Sequence, residues 1–132
     1  MSDTGMMVYL TRENVLRIAE YSLPSVKLRD ETQLLAALQR PRASAFEEDA
    51  YPDVWEKAAA LMQAIAIGHP LVDGNKRLAW LSTDAFLSLN GVDFDYTDED
   101  SAYDLVIAVT TGELVEVHEI AVQLRKLMPT SE

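Results

Sequence analysis

Apolar residues recur at spacings of three and four along most of the chain, the mark of amphipathic helices. Thr11 can cap a first helix reaching about residue 22, with Val15, Leu16, Ile18 and Ala19 on its apolar face. Residues 22–29, which include Pro24, read as a connection. A short helix follows over 30–38, with acidic residues in its first turn and Pro41 just beyond its end. The period is then lost over 40–51, where Pro41, Ser44 and the run Glu47, Glu48, Asp49 predict an exposed loop or short hairpin. Pro52 and Asp53 introduce a longer helix to about Ile67. Val54, Ala58, Leu61, Met62 and Ile65 keep helical spacing in it, and Gly68 is its expected C-cap.

The stretch 75–90 is apolar on nearly every side, through Leu78, Ala79, Trp80, Leu81, Ala85, Phe86, Leu87 and Leu89. That pattern predicts the central, buried helix. Asn90-Gly91 ends it, and 92–96 read as a brief extended piece. Thr97 and the acidic residues after it start another helix that stops at Gly112. A last helix covers about 114–128, ending before Pro129. The sum is an all-α fold: a compact helical bundle of about six helices with a short flap loop or hairpin. No repeat, low-complexity tract or Gly/Ser linker breaks it, so 1–132 is expected to form a single domain.

Composition narrows the function classes. A chain of 132 residues with 48% hydrophobic content can bury one core. Acidic residues outnumber basic ones 22 to 11, for a net charge of −11. Nucleic-acid binders carry a basic stripe, so this balance argues against DNA or RNA as a direct ligand; it suits a partner with a basic segment. The absence of cysteine excludes disulfides, thiolate metal sites and cysteine nucleophiles. Residues 1–10 lack the basic and apolar regions of a signal peptide. The longest mostly apolar stretch, 58–67, is too short to cross a bilayer. The expected location is the cytoplasm, away from membranes.

Candidate chemistry sits in one segment, His69-Pro70-Leu71-Val72-Asp73-Gly74-Asn75-Lys76-Arg77. Asp73-Gly74 folds the backbone tightly, and Gly74 permits close approach to the main chain. The helix that follows presents free N–H groups and the positive end of its dipole, an anion site. Lys76 and Arg77 add charge suited to phosphate oxygens. The Asp73 carboxylate can hold Mg²⁺ against those phosphates, and His69 can take a proton from an incoming hydroxyl. Singly, each residue has a plainer role. A lone His at a helix end more often bonds backbone, Asp-Gly-Asn is usually a turn and cap, and Lys76 and Arg77 would be solvated surface charges. Their clustering at the mouth of one helix points to phosphoryl or nucleotidyl transfer.

The segment resembles the signature of the Fic/Doc family, in which His-Pro-Phe precedes two variable positions and a Gly-Asn-rich anion loop. Leu71 stands where the family usually has Phe, a swap a packed core tolerates. Arg29-Asp30, 35–38, Arg40-Pro41, Tyr51-Pro52, 58–61 and 86–91 are similar to the Doc branch in order and spacing. The resemblance spans about 8–128. AMP-transferring members carry Gly-Asn-Gly-Arg and, after two residues, a second Arg. Here Lys76 replaces that second Gly and Trp80 holds the second Arg position, which is the Doc pattern.

The resemblance implies a toxin that transfers the γ-phosphate of ATP to a Thr or Ser hydroxyl of a host protein, with translation factor EF-Tu as the family's known target. It implies catalytic roles for His69, Asp73 and Lys76, phosphate binding by Gly74, Asn75, Lys76 and Arg77, and Mg²⁺ on Asp73. Residues 42–49 would be the flap on which a target strand docks. Self-restraining Fic proteins carry Ser or Thr, then Glu four residues later, then Gly or Asn. The nearest stretch here, Ser44 and Glu48, is followed by Asp49. The resemblance therefore implies restraint by a separate Phd-like antitoxin whose C-terminal helix covers the active site. Two rival readings keep the fold: AMP transfer, and a catalytically inactive phosphate- or partner-binding module. His118, among apolar residues, reads as structural.

Overall fold

The computed structural model describes residues 6–94 and 98–128. Six helices follow in order: α1 (Arg12–Ser22), α2 (Glu31–Gln39), α3 (Val54–Gly68), α4 (Asn75–Leu89), α5 (Glu99–Thr110) and α6 (Val117–Lys126). A 3₁₀ turn (Arg40–Arg42) and the antiparallel strands β1 (Ser44–Ala45) and β2 (Glu48–Asp49) fill the α2–α3 connection. The fold is the all-α bundle with a hairpin that the hydrophobic pattern predicts.

Local sequence accounts for most helix starts. Thr11 forms a reciprocal capping box with Asn14: its Oγ1 accepts from the Asn14 amide at 3.1 Å, and its own amide donates to Asn14 Oδ1 at 2.9 Å. Asp30 and Asp53 accept from the amides of Gln33 and Glu56, so α2 and α3 begin where an Asp precedes the apolar run. Asp98 caps α5; Thr97, the expected start, lies outside the described residues, as does part of the 92–96 piece. The last helix is shorter than its period implied: Leu114 and Val115 precede it, and α6 begins at Val117.

The central helix is α3, not α4. It packs on α2, α4, α5 and α6, and Lys57 through Met62, Ile65 and Ala66 are all buried. Three successive alanines, Ala58, Ala59 and Ala60, show no exposure, because a methyl lets neighbours close in on every side. The bulkier α4 keeps an open face: Leu89 is 52% exposed, and Lys76, Arg77 and Ser88 reach solvent. Counting apolar residues overstated its burial. Among the described residues, no helix is long and apolar enough to cross a membrane.

One buried charge ties the hairpin to the core. Lys57 is 1% exposed, and its Nζ donates to Pro41 O at 3.2 Å and to Asp49 Oδ2 at 3.1 Å. The Tyr9 ring lies 5.8 Å from the same ammonium. A charge so far from water needs such partners.

Candidate active site

The His69–Arg77 segment links the C-terminus of α3 to the N-terminus of α4 and is braced by the chain between α1 and α2. Leu28 pairs with Leu71 in an isolated antiparallel bridge, and the Val72 amide donates to Lys27 O at 2.8 Å. The amides of Arg29 and Asp30 both donate to Pro70 O, at 2.7 and 3.1 Å. The Arg29 guanidinium closes the end of α3, with Nε to His69 O at 2.6 Å and Nη2 to Gly68 O at 2.9 Å. These are the carbonyls a helix end leaves without partners. Arg29 is thus a site residue that periodicity assigned only to a connection. An isolated cation in a polar stretch carries no local signal that it will cap a helix some 40 positions later.

His69 itself, not Gly68, takes the left-handed cap conformation (φ 52°, ψ 60°). That is uncommon for a residue with a side chain. Its ring is exposed, with Nδ1 3.0 Å from Ile67 O. A carbonyl only accepts, so this contact selects the tautomer with the proton on Nδ1 and leaves the Nε2 lone pair available as a base.

Leu71 is 1% exposed and packs in the core, as its place in the signature implied. Asn75 holds it: Oδ1 accepts from the Leu71 amide and Nδ2 donates to Leu71 O, both at 2.9 Å. The Asn75 side chain is therefore occupied in shaping the loop, and what it offers a phosphate is its backbone amide. The first intrahelical bond of α4 runs from the Leu78 amide to Gly74 O, leaving the amides of Asn75, Lys76 and Arg77 without a helical partner. Lys76 and Arg77 are exposed beside them and form no ion pair among the described residues.

Gly74 precedes α4 with φ 91°. A Cβ there would meet Leu23 Cδ1 at 2.8 Å. The close approach that demands glycine is thus made by this chain's own Leu23. Asp73 is exposed, and its Oδ1 accepts from the Gly74 amide at 2.9 Å. Its second oxygen fits Mg²⁺, which is commonly held by one or two carboxylates together with substrate phosphates. No cluster of three or more His, Asp or Glu able to hold a metal by itself occurs among the described residues.

The sequence that carries this site matches known proteins. Residues 9–87 match the family model described as Fic/DOC family. The chain belongs to the Fic/Doc family. It is 44% identical over 124 residues to the "Toxin Doc" of Mycolicibacterium smegmatis, covering 90% of this chain and 92% of that one. It is 38% identical over 88 residues to the "Protein kinase doc" of Escherichia phage P1, covering 67% of this chain and 66% of that protein.

His118 is structural, as its sequence reading has it, but at the surface and not among apolar residues. It lies in the first turn of α6, 77% exposed on its side chain, with Nδ1 3.0 Å from Glu56 Oε2. The hydrogen bond to Glu56, ahead of the opposing desolvation, raises its pKa above the usual imidazole range. It ties α6 to α3, far in sequence from the Fic/Doc loop.

Proposed function

We propose that this protein is a Doc-type toxin that moves the γ-phosphate of ATP to a Ser or Thr hydroxyl of a host protein. The observation that supports the reading is an exposed His69, its Nδ1 held by Ile67 O, six residues along the chain from the first of the amides and cations without helical partners at the start of α4. The names of the two relatives, one a toxin and one a protein kinase, point the same way.

In this mechanism the γ-phosphate rests on the amides of Asn75, Lys76 and Arg77, with the two side-chain cations offsetting its charge. His69 Nε2 takes the proton of the target hydroxyl as that oxygen bonds to the γ-phosphorus. The bond from phosphorus to the β-bridging oxygen breaks, and ADP leaves. Mg²⁺ on Asp73 would supply further neutralisation of phosphate charge. Translation factor EF-Tu is the proposed target, by family resemblance.

The proposed restraint is a Phd-like antitoxin. An open groove of about 690 Å³ between α1 and α4, lined by apolar Leu10, Ile18, Tyr21, Leu81 and Leu89 and by polar residues that include Asn14, Arg17 and Asp93, is the proposed seat for its helix; none of residues 69–77 lines it, so covering the active site would need contacts beyond the groove. Tyr21 is 94% exposed there.

The test uses purified protein, EF-Tu and ATP labelled on the α- or the γ-phosphate. Label should pass only from the γ position, and His69→Ala should remain folded while losing about 10²–10⁴-fold in rate. Transfer from the α position alone would replace this reading with AMP transfer. Full activity in folded His69→Ala would remove the base.

A further inference from the structure

The hairpin between α2 and α3 cannot hold its own position. Its strands are two residues each, with Ser44 opposite Asp49 and Ala45 opposite Glu48, and an isolated pair of strands is marginal in water. Its place is therefore set by its attachments to the helices. Arg40 meets Tyr51, beyond the end of β2, and Gln63 of α3. Lys57 grips the strand itself: its Nζ donates to Asp49 Oδ2 at 3.1 Å, and to Pro41 O, on the approach to β1, at 3.2 Å. One ammonium thus touches both arms of the hairpin.

The two partners are unequally buried. The Lys57 side chain is 2% exposed and that of Asp49 56%. Lys57 precedes the buried run Ala58, Ala59 and Ala60, where an apolar side chain would pack without taking a charge out of water. Such a pair is poor evidence of a role in stability, because hydrophobic replacement of buried pairs is often neutral or stabilising. What the charge adds is direction: an ammonium cut off from water must keep its acceptors close. The Tyr9 ring, stacked on Phe86 of α4, flanks the same ammonium. Removal is asymmetric as well. Losing Asp49 strands a buried cation, whereas losing the Lys57 charge leaves an exposed carboxylate that water solvates.

We infer that Lys57 is a positioning residue for the target protein, acting through Asp49 and Pro41 to fix the hairpin on α3. The same helix carries Lys57 near its start and His69 as its C-cap, so it relates the docking edge to the base. A free strand edge supplies hydrogen bonds for a target strand but does not decide where that strand lies. A displacement of about 1 Å is enough to slow a transfer reaction severely. The inference rests on the reading of residues 42–49 as the flap and adds what sets its place.

Lys57→Met, Asp49→Ala and the double variant are compared with the parent by thermal unfolding, by hydrogen exchange and by calorimetric affinity for EF-Tu and for ATP. The exchange probe is the Ala50 amide, which donates to Ala43 O at 2.9 Å across the hairpin base. Lys57→Met should unfold no earlier than the parent, yet exchange Ala50 about tenfold faster and bind EF-Tu about tenfold more weakly, with ATP affinity unchanged. Asp49→Ala should unfold earlier and weaken EF-Tu comparably, and the double variant should bind EF-Tu no worse than either single one. Should Lys57→Met not fold, Asp49→Ala keeps the test open, since Asp49 is exposed. Unchanged Ala50 exchange, unchanged EF-Tu affinity, additive losses in the double variant, joint loss of EF-Tu and ATP binding, or no EF-Tu binding by the parent would each overturn the inference. Weaker EF-Tu binding by Lys57→Met, with no γ-phosphate transfer by the parent, would keep the positioning role and remove the kinase reading. Transfer intact with unchanged EF-Tu affinity would do the reverse.

Discussion

The His69–Arg77 loop and the hairpin are built in opposite ways. Every carbonyl from Gly68 to Leu71 accepts a hydrogen bond from a fixed donor: the Arg29 guanidinium, the Arg29 and Asp30 amides, and the Asn75 amide group. The hairpin is fastened only at its base. Lys57 holds Asp49, and Arg40 donates to Tyr51 Oη at 2.9 Å and to Gln63 Oε1 at 2.8 Å. Its tip is loose by comparison, with Phe46 98% exposed and both Phe46 and Glu47 at positive φ. A two-residue turn of this kind favours Asn and Gly, so Phe46 and Glu47 occupy it at some cost. Under the proposed function the contrast separates two needs: reacting groups have to be held in place beforehand, while a docking edge can stay adaptable.

The contrast breaks most severely at Gly74. Gly74→Ala should cost about 2–4 kcal/mol in denaturant unfolding, the left-handed backbone adding to the overlap with Leu23. A loss below about 0.5 kcal/mol would mean that the loop has more room than its contacts allow. Arg29→Ala comes next. With Gly68 and His69 no longer clamped, transfer should slow by about 10–100-fold while the KM for ATP stays nearly constant. Arg29→Lys, lacking the fork, should recover only part of it. A raised KM with unchanged kcat would show that Arg29 serves ATP binding instead.

The smallest effect sharpens the other side. Replacing Phe46 and Glu47 together by Asn and Gly should leave stability equal or raise it by about 0.5–1 kcal/mol, read as a thermal shift. It should also weaken docking of the target protein. Destabilisation by the double change would show that Phe46 supports the fold.

The sequence made the helices legible because Thr11, Asp30 and Asp53 are caps with a local signature, and because α3 repeats its apolar residues at helical spacing. The loop was legible as a motif, and it joins the end of α3 to the start of α4 as that reading has it. Three things were hidden. Burial of α3 over α4 depends on side-chain size as much as polarity. The service of Asn75 to Leu71 cannot be told from a phosphate contact by residue type. Arg29 acts across 40 positions, a distance over which hydrophobic period carries no information.

That distance also has a kinetic side. Helices α3 and α4 are neighbours in sequence and can meet through a six-residue turn, about the shortest search the chain offers. Joining Leu28 to Leu71 requires closing a far longer segment, with only a few hydrogen bonds gained. The splint on the loop should therefore set late, after the helices it joins have packed. Weakening it at Arg29 should then speed unfolding more than it slows folding, which stopped-flow chevrons would record as a change in the unfolding arm. The chain would collapse before its His69–Arg77 loop is set.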